Sequence, residues 1–95
     1  MGFFDKIRRK KKGDGEDRRR LLLASGRITD GVILDSSIDN NGQEVVFYLY
    51  TLNGVDFESS DILTLAQQSD PIRYAPGAKV GIRYDPRNQG NSVIE

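Results

Sequence analysis

The chain has 95 residues, the length of a single domain, and its 37% apolar and 29% charged residues are typical of a folded protein rather than a disordered one. It contains no cysteine and no histidine. This composition excludes disulfides and thiolate metal sites, and it removes the usual general base. We therefore expect a protein that is not an enzyme and that carries no metal and no cofactor.

The net charge of zero hides an asymmetry along the chain. Residues 1–20 hold nine basic and four acidic side chains, a net charge of +5, so the remaining residues carry −5. Such a separation indicates two parts with different roles. We divide the chain into a basic arm, residues 1–14, and one small domain, residues 15–95.

The arm combines apolar and basic side chains. On a helix, Phe3, Phe4 and Ile7 fall on one side. The basic residues that follow are Arg8, Arg9, Lys10, Lys11 and Lys12. Three interpretations stay open: association with an anionic membrane surface, contact with nucleic acid or another acidic partner, and a disordered solubilising tail.

No run of 18 apolar residues is present, and no apolar region follows the basic stretch as it would in a secretory signal. We expect a cytoplasmic protein, with the arm at the inner face of the membrane if it binds lipid.

A short helix is predicted from Asp14 or Gly15 to Gly26, with Gly26 ending it in the left-handed conformation. Leu22 or Leu23 is expected to seal one end of the core. From Gly26 onward the apolar pattern alternates, which indicates strands.

Five segments are predicted to be strands: "RITDGVILD", "EVVFYLYTL", "VDFES", "KVGIRYDP" and "NSVIE". Between the third and fourth, residues 61–68 are helix or strand, and a helix there would be capped by Ser60 or Asp61. With a helix, the order is that of the five-stranded oligonucleotide/oligosaccharide-binding (OB) barrel. We predict an all-β fold with one or two short helices, an OB-like small barrel, and keep an SH3-like barrel as the alternative.

The second and third strands meet at Asn53-Gly54, and two registers are open. A two-residue turn pairs Tyr50 with Phe57. A three-residue loop with a bulge at Gly54 pairs Leu49 with Phe57 instead. The second register places Val45, Phe47, Leu49, Val55 and Phe57 together and apart from the polar side chains, so we predict the bulged loop.

In the bulged register Tyr48 and Tyr50 share the outer face of the sheet with Asp56 and Glu58. Exposed aromatic side chains on a barrel face anchor protein partners or stack nucleic-acid bases, unless another element covers them. We predict a partner-binding face made of these four residues. Nucleic acid is the less favoured ligand because two carboxylates lie on the same face.

A cation site in the turn between the first two strands is a further hypothesis. Asp35, Asp39 and Asn41 offer oxygen ligands for a hard cation, but their spacing does not match an EF-hand loop, and a polar turn explains them as well.

The C-terminal stretch "YAPGAKVGIRYDPRNQGNSVI" resembles the ending of small bacterial all-β domains of unknown function. Those domains close with a glycine, an alternating Val-x-Val-x-Tyr and then Asp-Pro-x-Asn. The matching positions here are Gly77, Val80, Ile82, Tyr84, Asp85, Pro86 and Asn88. The segment "LLLASGRITDGVILDS" resembles the helix-Gly-Arg-strand start of related proteins. The resemblance implies a small β domain and brings no catalytic residue.

These observations together predict an interaction module that binds a protein partner through the barrel and associates with a membrane surface through the arm. A nucleic-acid-binding protein that uses the arm and the tyrosine face is the alternative.

Overall fold

The computed structural model describes residues 17–95, which form two short helices and five strands. The first helix, α1, covers residues 17–25 in the described part of the chain. The other elements are β1 (Arg27–Ile38), β2 (Glu44–Leu52), β3 (Val55–Ile62), α2 (Leu65–Gln68), β4 (Lys79–Asp85) and β5 (Asn88–Ile94). The basic arm and the predicted helix start at Asp14 or Gly15 lie outside the described residues.

The five strands form one antiparallel sheet in the order β3-β2-β1-β4-β5. The sheet curls until its edge strands β3 and β5 approach each other, which gives a nearly closed barrel. The predicted five-stranded small barrel is therefore confirmed, as is the succession of three strands, a helix and two strands.

The ambiguous segment after β3 contains both a strand end and a helix. β3 continues to Ile62, and α2 begins after Thr64. Thr64 caps the helix by accepting from the Gln67 backbone N–H, and the Gln67 side chain accepts from the Thr64 N–H in return. The predicted cap at Ser60 or Asp61 was wrong because both residues belong to the longer strand.

The predicted register of β2 and β3 was also wrong. Leu52 pairs with Val55 and Tyr50 with Phe57, so the connection is the two-residue turn Asn53-Gly54 and not a bulged loop. Both turn residues have positive φ, 54° for Asn53 and 81° for Gly54. This is the backbone of a type I′ turn, whose twist matches that of the flanking strands.

The turn sends the even-numbered side chains of β2 into the barrel. Tyr48 is fully buried and Tyr50 is 2% exposed, whereas Phe47 is 41% exposed and Val55 54%. The core contains ten buried side chains: Ile33, Val46, Tyr48, Tyr50, Leu52, Leu63, Tyr74, Val80, Ile82 and Ile94. Of the five residues predicted to point inward together, only Phe57 packs against this core.

The two interior tyrosines are tolerated because each hydroxyl has a hydrogen-bond partner. The Tyr48 hydroxyl lies 2.8 Å from the Ser92 hydroxyl, and the Tyr50 hydroxyl donates to the Gln89 carbonyl. Both partners belong to β5, across the opening between the edge strands. The rings themselves form a stack, with centroids 6.0 Å apart for Tyr48 and Tyr50 and 5.4 Å apart for Tyr50 and Phe57.

Side chains close the opening between β3 and β5, which we call the seam. The Asp61 carboxylate accepts from the Ile94 N–H at 3.1 Å and lies 3.4 Å from the Arg19 guanidinium. The Ile94 carbonyl accepts from Arg19 and from Gln67. These groups satisfy the backbone of an edge strand that has no neighbouring strand on this side.

Helix α1 is fastened to the seam by its arginines. Arg18 donates to the Ser92 carbonyl at 2.8 Å, and Arg19 donates to the Ile94 carbonyl at the same distance. Either Leu22 or Leu23 was predicted to seal the core, and it is Leu22 that docks, since it is 5% exposed and Leu23 37%.

Gly26 does not end the helix in the left-handed conformation, since it is not among the positive-φ glycines. Glycine is needed there because the backbone passes close to α1: a Cβ at Gly26 would lie 2.5 Å from the Leu22 carbonyl oxygen.

The C-terminal hairpin follows the predicted pattern. Val80 and Ile82 point into the core, and Tyr84 packs against it. Asp85 opens the turn to β5 and accepts from the Arg87 N–H at 2.9 Å, as turn chemistry predicts.

Candidate partner-binding surface

The register leaves one broad outer surface on β1, β2 and β3, which we call the β1–β3 face. Its pairs across the sheet include Val32 with Leu49 and Phe47 with Ser60. Where β1 pairs with β2 and β2 with β3, the outward positions are Val32, Leu34, Asp35, Ser37, Val45, Phe47, Leu49, Thr51, Asp56, Glu58, Ser60 and Ile62. The odd-numbered side chains of the central strand β2 thus form the middle of this surface.

An apolar patch lies at the middle of the face. Phe47 is 41% exposed, Leu34 43% and Ile62 44%, while core side chains are 8% exposed or less. Two successive β1 residues, Leu34 and Asp35, lie beside Phe47 because the register between β1 and β2 shifts there. Such a bulge turns an extra side chain toward the surface, and here that side chain is a leucine.

A shallow depression of about 640 Å³ opens beside Phe47. It is lined by Leu34, Asp35, Phe47, Glu58, Ser59 and Ser60. The depression combines an aromatic and an aliphatic wall with two carboxylates, which is the chemistry of an anchor site with a polar rim.

The charges on the β1–β3 face have one sign. Asp35, Asp56 and Glu58 are its ionisable side chains, and none of the outward positions is a lysine or arginine. The ion pairs formed within residues 17–95 join Arg19 to Asp61, Arg20 to Asp17 and Arg83 to Glu95, so these three carboxylates have no basic partner in that range. The face therefore presents negative charge around an apolar centre.

Local hydrogen bonds orient two of the three carboxylates. Asp56 accepts from the Thr51 hydroxyl at 2.6 Å, and Asp35 accepts from the Ser36 N–H at 2.8 Å. Glu58 pairs with Leu49 across the sheet, close to the apolar patch.

Of the four residues predicted to form a partner-binding face, two lie on the outer surface and two do not. Asp56 and Glu58 are exposed on the outer face, as expected. Tyr48 and Tyr50 are buried, and burial raises the pKa of both phenols above their usual value of 10.0. They cannot anchor a partner at the surface, so the aromatic face that they were predicted to form does not exist.

Sequence reasoning missed Phe47 and Leu34 as surface residues because it assigned Phe47 to the core. The signal that could have found them is Asn53-Gly54, a dipeptide that favours the two-residue turn and thereby sends Phe47 outward. The predicted arm residues Phe3, Phe4, Ile7, Arg8, Arg9, Lys10, Lys11 and Lys12 lie outside the described residues.

A second depression, of about 570 Å³, lies between α1 and the turn that joins β4 to β5. Its lining includes two acidic and two basic side chains, Asp17, Arg18, Asp85 and Arg87. Arg18 is already bound to Asn91 and to the Ser92 carbonyl. Its apolar lining comes from Leu21, Leu22 and Pro86, and it has no aromatic side chain comparable to Phe47.

The residues considered as a cation site form a turn. The Asp39 carboxylate accepts from the N–H groups of Asn41 and Gln43, each at 2.9 Å. Within residues 17–95 no three acidic side chains lie close enough together to hold a metal ion. The helices seen over those residues are also too short or too polar to cross a membrane.

Comparison with known proteins gives one match. Residues 24–95 match the model of a family described as a domain of unknown function, DUF3592. No curated protein and no solved structure matches the chain. The match covers β1 to β5 and both segments that carried the resemblance, apart from the first three leucines of "LLLASGRITDGVILDS". The chain therefore belongs to the DUF3592 family of domains of unknown function.

Proposed function

We propose that this protein is a non-enzymatic interaction module that binds a protein partner on its β1–β3 face. One observation carries the proposal: Phe47 is 41% exposed at the centre of a sheet face where the neighbouring apolar side chain Leu34 is also exposed. An exposed apolar cluster with a polar rim marks interaction sites on small proteins. The lack of histidine and cysteine supports a role in binding rather than in catalysis.

The charge on the face selects the kind of partner. Asp35, Asp56 and Glu58 surround the apolar patch without a basic neighbour on the face. Like charges disfavour an acidic partner, and opposite charges speed the approach of a basic one. The best-matched partner is a segment that presents an aromatic or aliphatic side chain beside lysine or arginine.

The same charges weigh against nucleic acid on this surface. Phosphates would meet three carboxylates, and the tyrosines that could have stacked on bases are in the core. The strand order with a helix between β3 and β4 supports an OB-like topology, in which β2 and β3 supply the ligand face. We propose that this chain uses the corresponding face for a protein.

Site-specific photocrosslinking tests the proposed face. The crosslinking amino acid p-benzoylphenylalanine replaces Phe47 in one variant and Ile28 in a matched control. Ile28 is an exposed apolar residue at the start of β1, where the strand pairs with Arg83 of β4 and not with β2. In cells of the source organism we expect a defined protein adduct from position 47 and none of that mass from position 28.

Identical adducts from both positions, or none from position 47, would contradict the proposed face. In the adduct, the crosslinked partner peptide should contain basic residues next to an apolar one. An adduct with nucleic acid instead of protein would reverse the choice of ligand.

The proposal retains membrane-surface association through the arm, which the sequence alone supports. Phe3, Phe4 and Ile7 precede five consecutive basic residues, and each basic residue near an anionic surface contributes about 1 kcal/mol. Full-length protein should sediment with vesicles that contain phosphatidylserine and not with neutral vesicles. Replacing Lys10, Lys11 and Lys12 by glutamate should abolish the sedimentation, and persistence in that variant would contradict this part of the proposal.

A further inference from the structure

We propose that the chain's own N-terminal segment, residues 1–12, occupies the β1–β3 face when no partner is bound. The inference rests on the proposed function, because it names a competitor for the same surface. In that state the arm covers the binding surface, so a partner can bind only when the arm is released.

Charge complementarity is the first argument. Residues 1–12 contain six basic side chains and one acidic side chain, a net charge of +5. The β1–β3 face contains three carboxylates and no basic side chain. Opposite charges of this kind attract at short range, and the attraction weakens as salt is added.

Apolar complementarity is the second argument. Phe3, Phe4 and Ile7 supply the aromatic and aliphatic side chains that the patch at Leu34 and Phe47 would bury. The segment therefore has the composition that the face selects in a partner.

The position of α1 supplies the third argument, because α1 is fastened to β3, one of the three strands that carry the face. Arg19 lies 3.4 Å from Asp61 of β3, the strand whose outward residues Glu58 and Ser60 border the depression. The 16 residues before the described part of the chain span up to about 50 Å when extended, which exceeds the longest dimension of that part, 38 Å. A short tether of this kind gives an effective concentration in the millimolar range, so the chain's own arm is favoured over that of a second copy in dilute solution.

Paramagnetic relaxation in the full-length chain tests the inference. Because the sequence contains no cysteine, a Lys6→Cys substitution takes a single nitroxide label. We expect the amide signals of Leu34, Phe47 and Ser60 to be broadened more strongly than those of Ile28 and Asp30. Mixing labelled unenriched chains with unlabelled ¹⁵N chains should give no broadening, which places the contact within one chain.

A matched pair of charge reversals provides the control. Glu58 and Asp70 are both exposed carboxylates, but Glu58 lies on the β1–β3 face and Asp70 follows α2, outside the sheet. Glu58→Lys should reduce the broadening at Phe47 by at least about twofold, the effect of losing one exposed ion pair, and Asp70→Lys should leave it unchanged.

Even broadening over the whole surface, equal effects of the two reversals, or broadening only between chains would overturn the inference. Those results would leave the partner-binding face standing if the photocrosslink at position 47 still formed. If position 47 gives no crosslink but the amide signals are clearly broadened, the face binds only the arm and no protein partner.

Discussion

The hydroxyl groups of Tyr48 and Tyr50 explain how two tyrosines fit inside a barrel of this size. Each ring packs among apolar side chains, and each hydroxyl reaches a group of β5 at the seam. A buried tyrosine is stable only when its hydroxyl is hydrogen-bonded, and the open side of the barrel supplies that bond. These tyrosines therefore help to hold β5 against β2 across the barrel.

The hydrogen bond between Tyr48 and Ser92 can be tested by substitution. Tyr48→Phe leaves the fully buried Ser92 hydroxyl without its partner, so we expect the free energy of unfolding to fall by about 1–2 kcal/mol. In the double variant Tyr48→Phe/Ser92→Ala both partners are gone, and the loss should be smaller than the sum of the single losses. Urea unfolding of the four proteins measures this coupling, and strictly additive losses would show that the bond does not form.

Among the elements, the β2–β3 hairpin has the greatest influence on function. The positive φ values of Asn53 and Gly54 set a two-residue turn, and that turn decides which side chains of β2 reach the outside. A slip of one residue would bury Phe47 and expose Tyr48. The candidate surface is thus a consequence of the turn.

The turn can be tested by adding a Cβ at Gly54, where φ is 81°. Gly54→Ala should lower the free energy of unfolding by about 1 kcal/mol, because an L-residue is strained in the left-handed region. Gly90→Ala is the control, since a Cβ there meets its nearest neighbour at an ordinary 3.9 Å and Gly90 has no positive φ. Equal losses in the two variants would contradict the type I′ turn.

The hairpin also shows how far the sequence determines the fold. Alternation located all five strands, and it assigned Val80, Ile82 and Tyr84 correctly because β4 is apolar on one face only. β2 is apolar on both faces, so sorting by polarity alone could not orient it. The tyrosines counted as polar in that sorting, although β5 supplies partners for their hydroxyls from 39 and 44 residues away.

The candidate site was harder to predict than the fold for the same reason. Asp56 and Glu58 were assigned to the outside, but their aromatic neighbour proved to be Phe47 rather than Tyr48 or Tyr50. The seam was not predicted at all, because Asp61, Arg19 and Ile94 come together only through the closure of the barrel.

The whole molecule depends on that closure, since α1, α2, β3 and β5 all meet at the seam. Burial raises the pKa of Asp61 above its usual 3.8, while the Ile94 N–H and the nearby arginines oppose the rise. The folded state thus holds a proton on Asp61 more tightly than the unfolded chain does. Its stabilising contribution is complete below the unfolded value and is lost as the pH rises through the raised folded value.

This linkage predicts the direction of a pH effect on the whole barrel. As the pH falls from 7 toward 4, the free energy of unfolding of the natural protein should increase relative to that of Asp61→Asn, which cannot take up the proton. Asp56→Asn, at an exposed position of the same strand, controls for the loss of one carboxylate. Urea unfolding at several pH values measures the difference, and a relative decrease toward acid would mean that Asp61 is held charged.

The orientation of β2 can be measured directly through nuclear Overhauser effects between side chains in the natural protein. Contacts between the Tyr50 and Phe57 rings, whose centroids lie 5.4 Å apart, together with no contact between Leu49 and Phe57, are the result that we predict. Contacts from Leu49 to Phe57 with a solvent-exposed Tyr50 would contradict it, and the surface around Phe47 would then lie inside the barrel.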